Sequence, residues 1–406
     1  MRNVVGNPVS GEDFFGREDE LGNLIRLITN GNHTLIKSPR RVGKSSLVAE
    51  ASRILRERGW KTIEIDVQQC TDEANFLKVI AEAIEESEVD LPQDTLEKIS
   101  GKLSDLRKSL AGFKGGVAGV NLEVPEFSEN WEDASGQLRS ALKRLAKHRD
   151  KTLLTMDELP IFLSELSTQP DGEQRVKKIL NWLRSVRIAC GTNLPWVFCG
   201  SIGLNNFVRK RDLDGTINDF ADVYVGVMSC EEATNLLEKL VASSNELSVL
   251  PESVINRILE KIGWLLPYYL QLMFHSLLSV SPRSNDFPTV ADVDAAYKIA
   301  IKADSLRHWS SRLNQLLSSK EQKIAKGLLD AISTQPNGIV EDKLLNLQMQ
   351  ASPGSDSNEM RDEISGVLKL LEDDGYLHFD NGKFAFRSFL LRDHWLHEIG
   401  GKRPNL

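Results

Sequence analysis

The sequence is poor in cysteine and lacks the features of an exported protein. Its 406 residues include four cysteines, none in C-x-x-C spacing: Cys70, Cys190, Cys199 and Cys230. Scattered thiols of this kind are better explained by burial in a reducing compartment than by a disulfide framework or a zinc site. The first residues, MRNVVGNPVSGEDFF, lack the apolar run of a secretory signal. We therefore expect a cytoplasmic protein.

Long apolar runs are also missing. The most apolar stretch, Ile262–Val280, contains Pro267, Gln271 and His275 and lies between two amphipathic helical patterns. This composition favours a buried helix of a soluble domain over a membrane span. No membrane partner is expected.

Positive charge is not in excess. The formal net charge is -8, which gives the whole chain no general attraction to nucleic acid, although a local basic patch is compatible with it. A hydrophobic content of 41% is that of an ordinary globular protein, and 406 residues are enough for two or three domains.

Short apolar strands alternate with helical patterns in the first half of the chain. The helical patterns include Gly136–His148 and Glu173–Ile188. Such alternation predicts an α/β fold with a parallel sheet covered by helices on both faces. The five predicted strands are His33–Lys37, Lys61–Val67, Thr152–Glu158, Trp196–Ser201 and Asp222–Val227.

One glycine-rich stretch interrupts this alternation. In GFKGGVAGVNLEVPEF, residues 112–127, the apolar residues Val120, Leu122 and Val124 repeat with period two. This pattern predicts a small hairpin or flap inserted at about residues 91–130, ahead of the third strand.

The chain becomes helical from Ser229 onward. Ser229 and Glu232 have capping-box spacing, and helical patterns continue to about Leu317, with a break at Ser281–Pro288. The last ninety residues predict three helices and then a hairpin with Asn381-Gly382 at its turn. We expect a core at 1–228, a helical lid at 229–317 and a winged-helix domain at 318–406.

The most informative motif is IKSPRRVGKSSL, which follows the first strand and begins a helix. It differs from the phosphate-binding loop G-x-x-x-x-G-K-[ST] only at the first position, where Ser38 replaces glycine. Gly43 occupies the position where a side chain would crowd the phosphates, and the first position tolerates a small residue. The predicted nucleotide-binding residues are Ser38, Pro39, Arg40, Arg41, Val42, Gly43, Lys44, Ser45 and Ser46.

Within this loop, Lys44 is expected to bridge the β- and γ-phosphates, and Ser45 to bind Mg²⁺ through its hydroxyl. Two interpretations of Arg40 and Arg41 are open. Either one of them reaches a phosphate or a neighbouring subunit, or both are solvated loop cations, which we favour because a phosphate site tolerates nearby positive charge.

A magnesium-nucleotide site also needs a carboxylate at the end of a neighbouring strand. Asp157 ends the third strand and is the candidate metal ligand, and Glu158 is the candidate general base for an attacking water. Ser201 ends the fourth strand and is a candidate sensor of the γ-phosphate. The alternative for Asp157-Glu158 is a simple cap between strand and helix.

Two further patterns are weaker. His394, His397 and Glu398 resemble metal-ligand spacing but lack further ligands in the sequence. The basic run Arg209–Arg211 suggests an arginine finger acting on a neighbouring subunit, whereas a solvated helix end is the simpler interpretation.

These motifs together resemble the archaeal and bacterial ATPases of the STAND group within the AAA+ superfamily, whose relatives include origin-recognition-type ATPases. The segments that carry the resemblance cover nearly the whole chain: NPVSGEDFFGREDEL, SPRRVGKSSL, LLTMDELP, FCGSIGL, TINDF, IGWLLPYYLQL and RHWSSRL. The implied fold is a P-loop NTPase core with a parallel sheet and flanking helices, then an all-helical lid and a winged helix.

The resemblance also implies roles for individual residues. Phe15 and Arg17 would wrap the base side of the nucleotide, and Pro267 would approach the base from the lid. Gly263 and Pro267 stand further apart than in the family's simplest G-x-P element. ATP with Mg²⁺ is the expected ligand, because a guanine-reading N-K-x-D motif is absent.

The implied function is a slowly hydrolysing ATP switch that acts on a protein partner or on its own assembly. Two alternatives stay open: a DNA-associated AAA+ ATPase, and a non-hydrolysing nucleotide-bound scaffold of a bacterial defence or toxin system. Residues 318–406 contain 11 Lys or Arg against 14 Asp or Glu, and the expected recognition helix is acidic. Nucleic acid is therefore the less favoured partner.

Overall fold

The computed structural model describes residues 1–87, 89, 97–99, 101–102, 104–105, 125–201, 203–244, 246–280, 287–352 and 356–400. The chain forms two compact units. One unit, here the sheet unit, comprises Arg17–Lys37 and Leu47–Tyr224. The other, here the loop–lid unit, comprises Met1–Gly16, Ser38–Ser46 and Val225–Leu406.

A parallel sheet of five strands organises the first half of the chain. The strand order is β2-β3-β4-β1-β5, with Asp66 opposite Asp157 and His33 opposite Phe220. Residues 152–156 of β3 are all buried, as expected for a central strand covered on both faces. The strands are β1 (His33–Ser38), β2 (Lys61–Asp66), β3 (Thr152–Asp157), β4 (Trp196–Ser201) and β5 (Phe220–Val223).

The parallel α/β fold is confirmed, but the predicted fifth strand was placed too late. The strand predicted at Asp222–Val227 shares only two residues with β5, which ends at Val223. Beyond it the backbone leaves the sheet: the N–H of Val225 donates to the Ser38 hydroxyl, and that of Met228 donates to Leu265 O. The pairing of β5 with β1 ends at Val223, opposite Ile36, although the apolar residues of DVYVGV continue beyond it.

Helices cover the sheet and enclose its main hydrophobic core. In this core the Phe76 and Phe162 rings stack at 5.0 Å, and the indole N–H of Trp182 donates to Ser135 O. The buried Arg175 guanidinium pairs with Glu73 and so ties two of these helices together. The helices are α1 (Glu18–Thr29), α2 (Lys44–Glu57), α3 (Glu73–Glu86), α4 (Pro125–Ala146), α5 (Leu159–Ser167), α6 (Gly172–Cys190) and α7 (Gly203–Arg209).

The hairpin predicted around Val120, Leu122 and Val124 lies outside the described residues. Helix α4 begins at Pro125, so the end of that glycine-rich stretch is helical. Residues 125–130 therefore belong to a covering helix of the sheet rather than to a flap.

The lid segment of the loop–lid unit is helical. Ser229 and Glu232 form the predicted capping box at the start of α8, and α10 is buried along most of its length. Within the described residues, no helix is long and apolar enough to cross a membrane. The helices are α8 (Cys230–Ala242), α9 (Glu252–Ile262), α10 (Pro267–Val280), α11 (Val290–Ala300) and α12 (Arg307–Leu316).

The C-terminal segment follows the element order of a winged helix. Asn381 and Gly382 have φ values of 49° and 76°, as a two-residue hairpin turn requires, and Ile339 pairs with Phe384 as a third strand position. The elements are α13 (Ser319–Ser333), α14 (Glu341–Ala351), α15 (Ser357–Asp373), β6 (Leu377–Asp380), β7 (Lys383–Phe386) and α16 (Phe389–Gly400).

Buried polar contacts join the lid helices to this C-terminal segment. Arg312 pairs with Asp374 at 2.9 Å, with side chains 0% and 3% exposed, and the Tyr376 hydroxyl donates to Trp309 O. Removing one partner of such a buried pair costs about 3–5 kcal/mol. Unfolding one segment alone would leave a buried charge of the other without its partner, so these contacts make the unfolding of the two segments cooperative.

A half-buried histidine, His33, lies at the beginning of β1. His33 Nδ1 accepts a hydrogen bond from Trp196 N at 3.2 Å, which requires a neutral ring. Burial and the positive charge of Arg187 lower the pKa of His33 from 6.5 to about 4, against the opposing charge of Asp219. The folded chain therefore binds fewer protons than the unfolded chain between these two pH values.

This shift predicts a loss of stability in acid. The contribution of His33 is complete above pH 6.5 and falls as the pH drops toward about 4, by about 2 kcal/mol between about pH 7.5 and about pH 5. His33→Asn keeps an acceptor for Trp196 N but does not titrate, so its urea-unfolding free energy should depend less on pH by that amount. Parallel pH profiles of variant and wild type would refute the assignment.

Candidate functional site

The predicted phosphate-binding loop connects the end of β1 to the start of α2. Gly43 has a φ of 99°, which side chains rarely adopt, and a Cβ built there would meet no protein atom within 4 Å. The space in front of Gly43 is thus clear for a ligand, and the first N–H groups of α2 follow directly. A glycine of positive φ followed directly by a helix N-terminus is an arrangement that anion-binding loops use.

The Lys44 ammonium is buried within the same loop. Lys44 is 9% exposed, and its Nζ donates to Ser38 O at 2.9 Å and to Pro39 O at 2.8 Å. The carbonyls bring partial negative charge to a cation that has lost most of its water. The loop therefore holds a positive charge at the N-terminus of a helix, where an anion is most favourable.

Ser38, the residue that departs from the glycine motif, is fully buried. Its Oγ accepts a hydrogen bond of 2.6 Å from the N–H of Val225. Serine at this position therefore fills a specific hydrogen-bonding role that glycine could not fill.

The interior residues of the loop contact the rest of the loop–lid unit. The Arg41 guanidinium lies 4.4 Å from the centroid of the Tyr268 ring and donates to Gly6 O at 3.0 Å. Arg41 is half-buried and has a φ of 65°, so the expectation of a solvated loop cation does not hold for it. A Cβ at Gly375 would come within 2.8 Å of Pro39 Cβ, which places Pro39 beside the C-terminal segment.

The charge of Arg40 is close enough to influence Tyr376. It opposes the effect of burial, which raises the pKa of that phenol.

The N-terminal segment also contacts the loop. The N–H of Val9 donates to Ser46 Oγ at 3.1 Å, and the Lys239 ammonium lies 5.3 Å from the Phe15 ring centroid. Arg17 belongs to the sheet unit, where it is 5% exposed, precedes α1 with a φ of 68°, and pairs with Glu20 at 3.0 Å. Phe15 and Arg17 thus belong to different units.

Asp157 and Glu158 occupy the carboxyl end of β3. The N–H of Glu158 donates both to Cys199 O at 3.0 Å and to Asp157 Oδ1 at 2.9 Å, so this peptide is fixed against β4. Glu158 has a φ of 55° and directly precedes α5. Strain of this kind at a carboxylate that ends a central strand is typical of a functional position.

The remaining predicted residues have the following positions. Val42 is buried, Ser45 is the second residue of α2, and Ser201 is the last residue of β4. Because β1, β3 and β4 belong to one parallel sheet, their carboxyl ends lie at the same edge. Pro267 is the first residue of α10 and Gly263 ends α9 with a φ of 71°.

The two weaker patterns have structural explanations. Arg211 donates to Glu173 at 2.8 and 2.9 Å and lies over the Phe207 ring. His394 is 2% exposed and its Nδ1 donates to Ile301 O at 2.6 Å. Among the described residues no group of three or more potential ligands is placed to hold a metal ion, and the four cysteines form no disulfide with one another.

Residues outside the loop also contact it, and the sequence did not predict these contacts. Tyr268, Val225 and Gly375 were assigned no role at the loop: the Tyr268 ring contacts Arg41, the Val225 N–H bonds to Ser38, and Gly375 lies beside Pro39. The only available signal was the pair Tyr268-Tyr269 directly after Pro267, at the start of a helix.

Comparisons with known proteins give a fold but no close relative. No protein-family model and no curated protein matches the sequence. A Walker-type ATPase of Pyrococcus abyssi is similar in structure with a TM-score of 0.61, at 18% identity over 98% of this chain and 100% of the other. The ORC2 protein of Aeropyrum pernix, solved with ADPNP and ADP, has a TM-score of 0.46 at 12% identity, over 98% of each chain.

A third similar structure is Cdc6p of Pyrobaculum aerophilum, with a TM-score of 0.46 at 11% identity over 97% of each chain. The fold is assigned from the Pyrococcus abyssi structure alone, because the TM-scores of the other two structures are low. The chain therefore shares the fold of a Walker-type ATPase along nearly its whole length.

The backbone at Glu158 gives a test of strain. A non-glycine residue at positive φ costs about 1–2 kcal/mol, part of which glycine loses again through its greater freedom in the unfolded chain. Glu158→Gly should therefore be more stable than Glu158→Gln by about 0.5–1 kcal/mol in urea unfolding.

The matched control is the same pair of substitutions at Glu165, an exposed residue of α5. Glycine there should be less stable than glutamine by up to about 1 kcal/mol, because the backbone is helical. The same order of stability at both positions would contradict the assignment of strain to Glu158.

Proposed function

We propose that this protein is an ATP-binding switch that hydrolyses ATP slowly and controls a protein partner or its own assembly. The observation that carries the proposal is the buried Lys44 ammonium, held by two loop carbonyls at the start of α2, beside a glycine of positive φ. A buried ammonium at the start of a helix is favourably placed to form a charge-assisted hydrogen bond with a phosphate.

The residues of the loop fit a triphosphate with magnesium. The N–H groups of residues 42–46 would bind phosphate oxygens, and Lys44 would turn from its carbonyl partners to the β- and γ-phosphates. Ser45 and Asp157 would hold Mg²⁺, which neutralises phosphate charge when it is bound. Phe15, Arg17 and Pro267 would enclose the adenine side, as the resemblance to STAND ATPases implies.

Hydrolysis would depend on the carboxyl end of β3. Glu158 would accept a proton from the attacking water as its oxygen bonds to the γ-phosphorus and the bond to the β-phosphate oxygen breaks. Ser201 would contact the γ-phosphate from the end of β4. That both strand ends act on the nucleotide bound by the loop is part of the proposal.

A switch needs contacts that differ between ATP and ADP, and only the γ-phosphate contacts differ. The loop that would make them belongs to the same compact unit as the lid and the C-terminal segment. Arg41 with Tyr268, and Pro39 beside Gly375, are contacts through which the state of the loop can reach these segments. This supports a switch over an enzyme that merely turns over ATP.

A turnover assay tests the proposal. Glu158→Gln should reduce ATP hydrolysis about a hundredfold or more while ATP binding persists, because only the base is lost. Lys44→Ala should abolish binding. Glu165→Gln, the same change at an exposed residue of the helix that follows, should hydrolyse ATP like the wild type.

Two outcomes would contradict parts of this account. If Glu158→Gln hydrolyses ATP as fast as the wild type, Glu158 is not the base. If the wild type retains ATP without ever hydrolysing it, the protein is the nucleotide-bound scaffold that a defence or toxin system would use.

The element order of the winged helix favours a second candidate function, a DNA-associated ATPase. The charges of the expected recognition helix α15 oppose it. Arg361 pairs with Asp342 at 3.0 Å, and Lys369 pairs with Glu372 and Asp373 at 3.2 and 3.0 Å. Cations already neutralised by carboxylates release few counterions from DNA. We therefore favour a protein partner for this face.

Fluorescence anisotropy with duplex DNA distinguishes the two. At about 150 mM salt we expect a Kd weaker than about 10⁻⁴ M, the weak end of non-specific binding. Lys369→Glu should not change it. Tight binding that falls steeply with salt and that Lys369→Glu weakens would establish the DNA-associated function instead.

A further inference from the structure

The first residue of the phosphate-binding loop has a contact that the motif does not provide. Glycine is the motif residue at this position, and this chain has Ser38, whose side chain is 0% exposed. Its Oγ accepts the N–H of Val225 at 2.6 Å. Burying this hydroxyl without a partner would cost free energy, so the hydrogen bond stabilises the fold.

Val225 lies in the segment that connects the sheet to the first lid helix. It follows the end of β5 at Val223 by two residues and precedes α8, the first lid helix, which begins at Cys230. Val225 is 0% exposed, so its N–H needs an acceptor within the protein. Ser38 provides this acceptor, and a glycine would leave the N–H without it.

The same residue also holds Lys44. Ser38 O accepts from Lys44 Nζ at 2.9 Å while Ser38 Oγ accepts from Val225 N. When Lys44 turns to the γ-phosphate, the carbonyl of Ser38 loses this donor, and the position of the Ser38 peptide can change in response. Three bonds join Ser38 Oγ to the carbonyl carbon of the same residue. A movement of that carbonyl is therefore carried through the hydroxyl to Val225.

We propose that Ser38 is a positioning residue that couples the γ-phosphate to the start of the lid through the hydrogen bond to Val225. The inference rests on the proposed function and names its regulation. The signal would originate in the loop itself. The sequence of α10, PYYLQLMFHSLLSV, contains no Lys or Arg that could contact the phosphate.

The coupling is tested with two substitutions and one control. Ser38→Ala and Ser38→Gly both remove the hydroxyl, and the second restores the glycine of the motif. Thr34→Val is the control: Thr34 lies on the same strand β1, is 0% exposed, and its Oγ1 has no hydrogen-bond partner among the described residues. Calorimetry gives the affinities for ATP and ADP, and hydrogen exchange gives the protection of the Val225 amide.

We expect wild type and Thr34→Val to show a Val225 amide that is better protected with ATP than with ADP. Both Ser38 variants should lose this difference, and their ratio of ATP to ADP affinity should change about fivefold or more. A purely structural serine would lower both affinities together and leave the ratio unchanged.

Two other outcomes would contradict the proposed coupling between Ser38 and Val225. If the wild type binds both nucleotides and the Ser38 variants keep its affinity ratio and its Val225 response, the coupling is wrong while the proposed function stands. A wild type that binds neither nucleotide overturns both.

Discussion

The structure depends on how the chain accommodates the buried ammonium of Lys44. A cation that is 9% exposed must be compensated, and Ser38 O and Pro39 O do this at 2.9 and 2.8 Å. To present these carbonyls the loop must turn sharply, and Gly43 with a φ of 99° makes the turn possible. The result is a loop that holds a buried positive charge at the N-terminus of α2, where an anion is favourable.

The same loop is held from outside at three points. Ser38 bonds to Val225, Pro39 lies beside Gly375, and Arg41 packs on Tyr268. These contacts explain why the loop groups with the lid and the C-terminal segment rather than with the sheet from which it emerges.

Sequence patterns predicted what local chemistry determines and failed where tertiary contacts decide. The loop, the Ser229–Glu232 capping box and the Asn381-Gly382 turn follow from short-range rules and are as expected. The fifth strand was misplaced because its end depends on the distant Ser38 hydroxyl, which takes the Val225 N–H out of the sheet. The contact of Arg41 with Tyr268 was not predicted, since the two residues are far apart in sequence and the loop motif specifies no partner for Arg41.

The central claim is that the loop from Ser38 to Ser45 grips the phosphates of an adenine nucleotide. The most direct measurement is the nucleotide released on denaturing the purified protein, identified by chromatography and compared with that from Lys44→Ala. The account predicts about one adenine nucleotide per wild-type chain and almost none from the variant, because Lys44 provides the buried positive charge. Equal amounts from both proteins, or none from either even after incubation with ATP and magnesium, would contradict it.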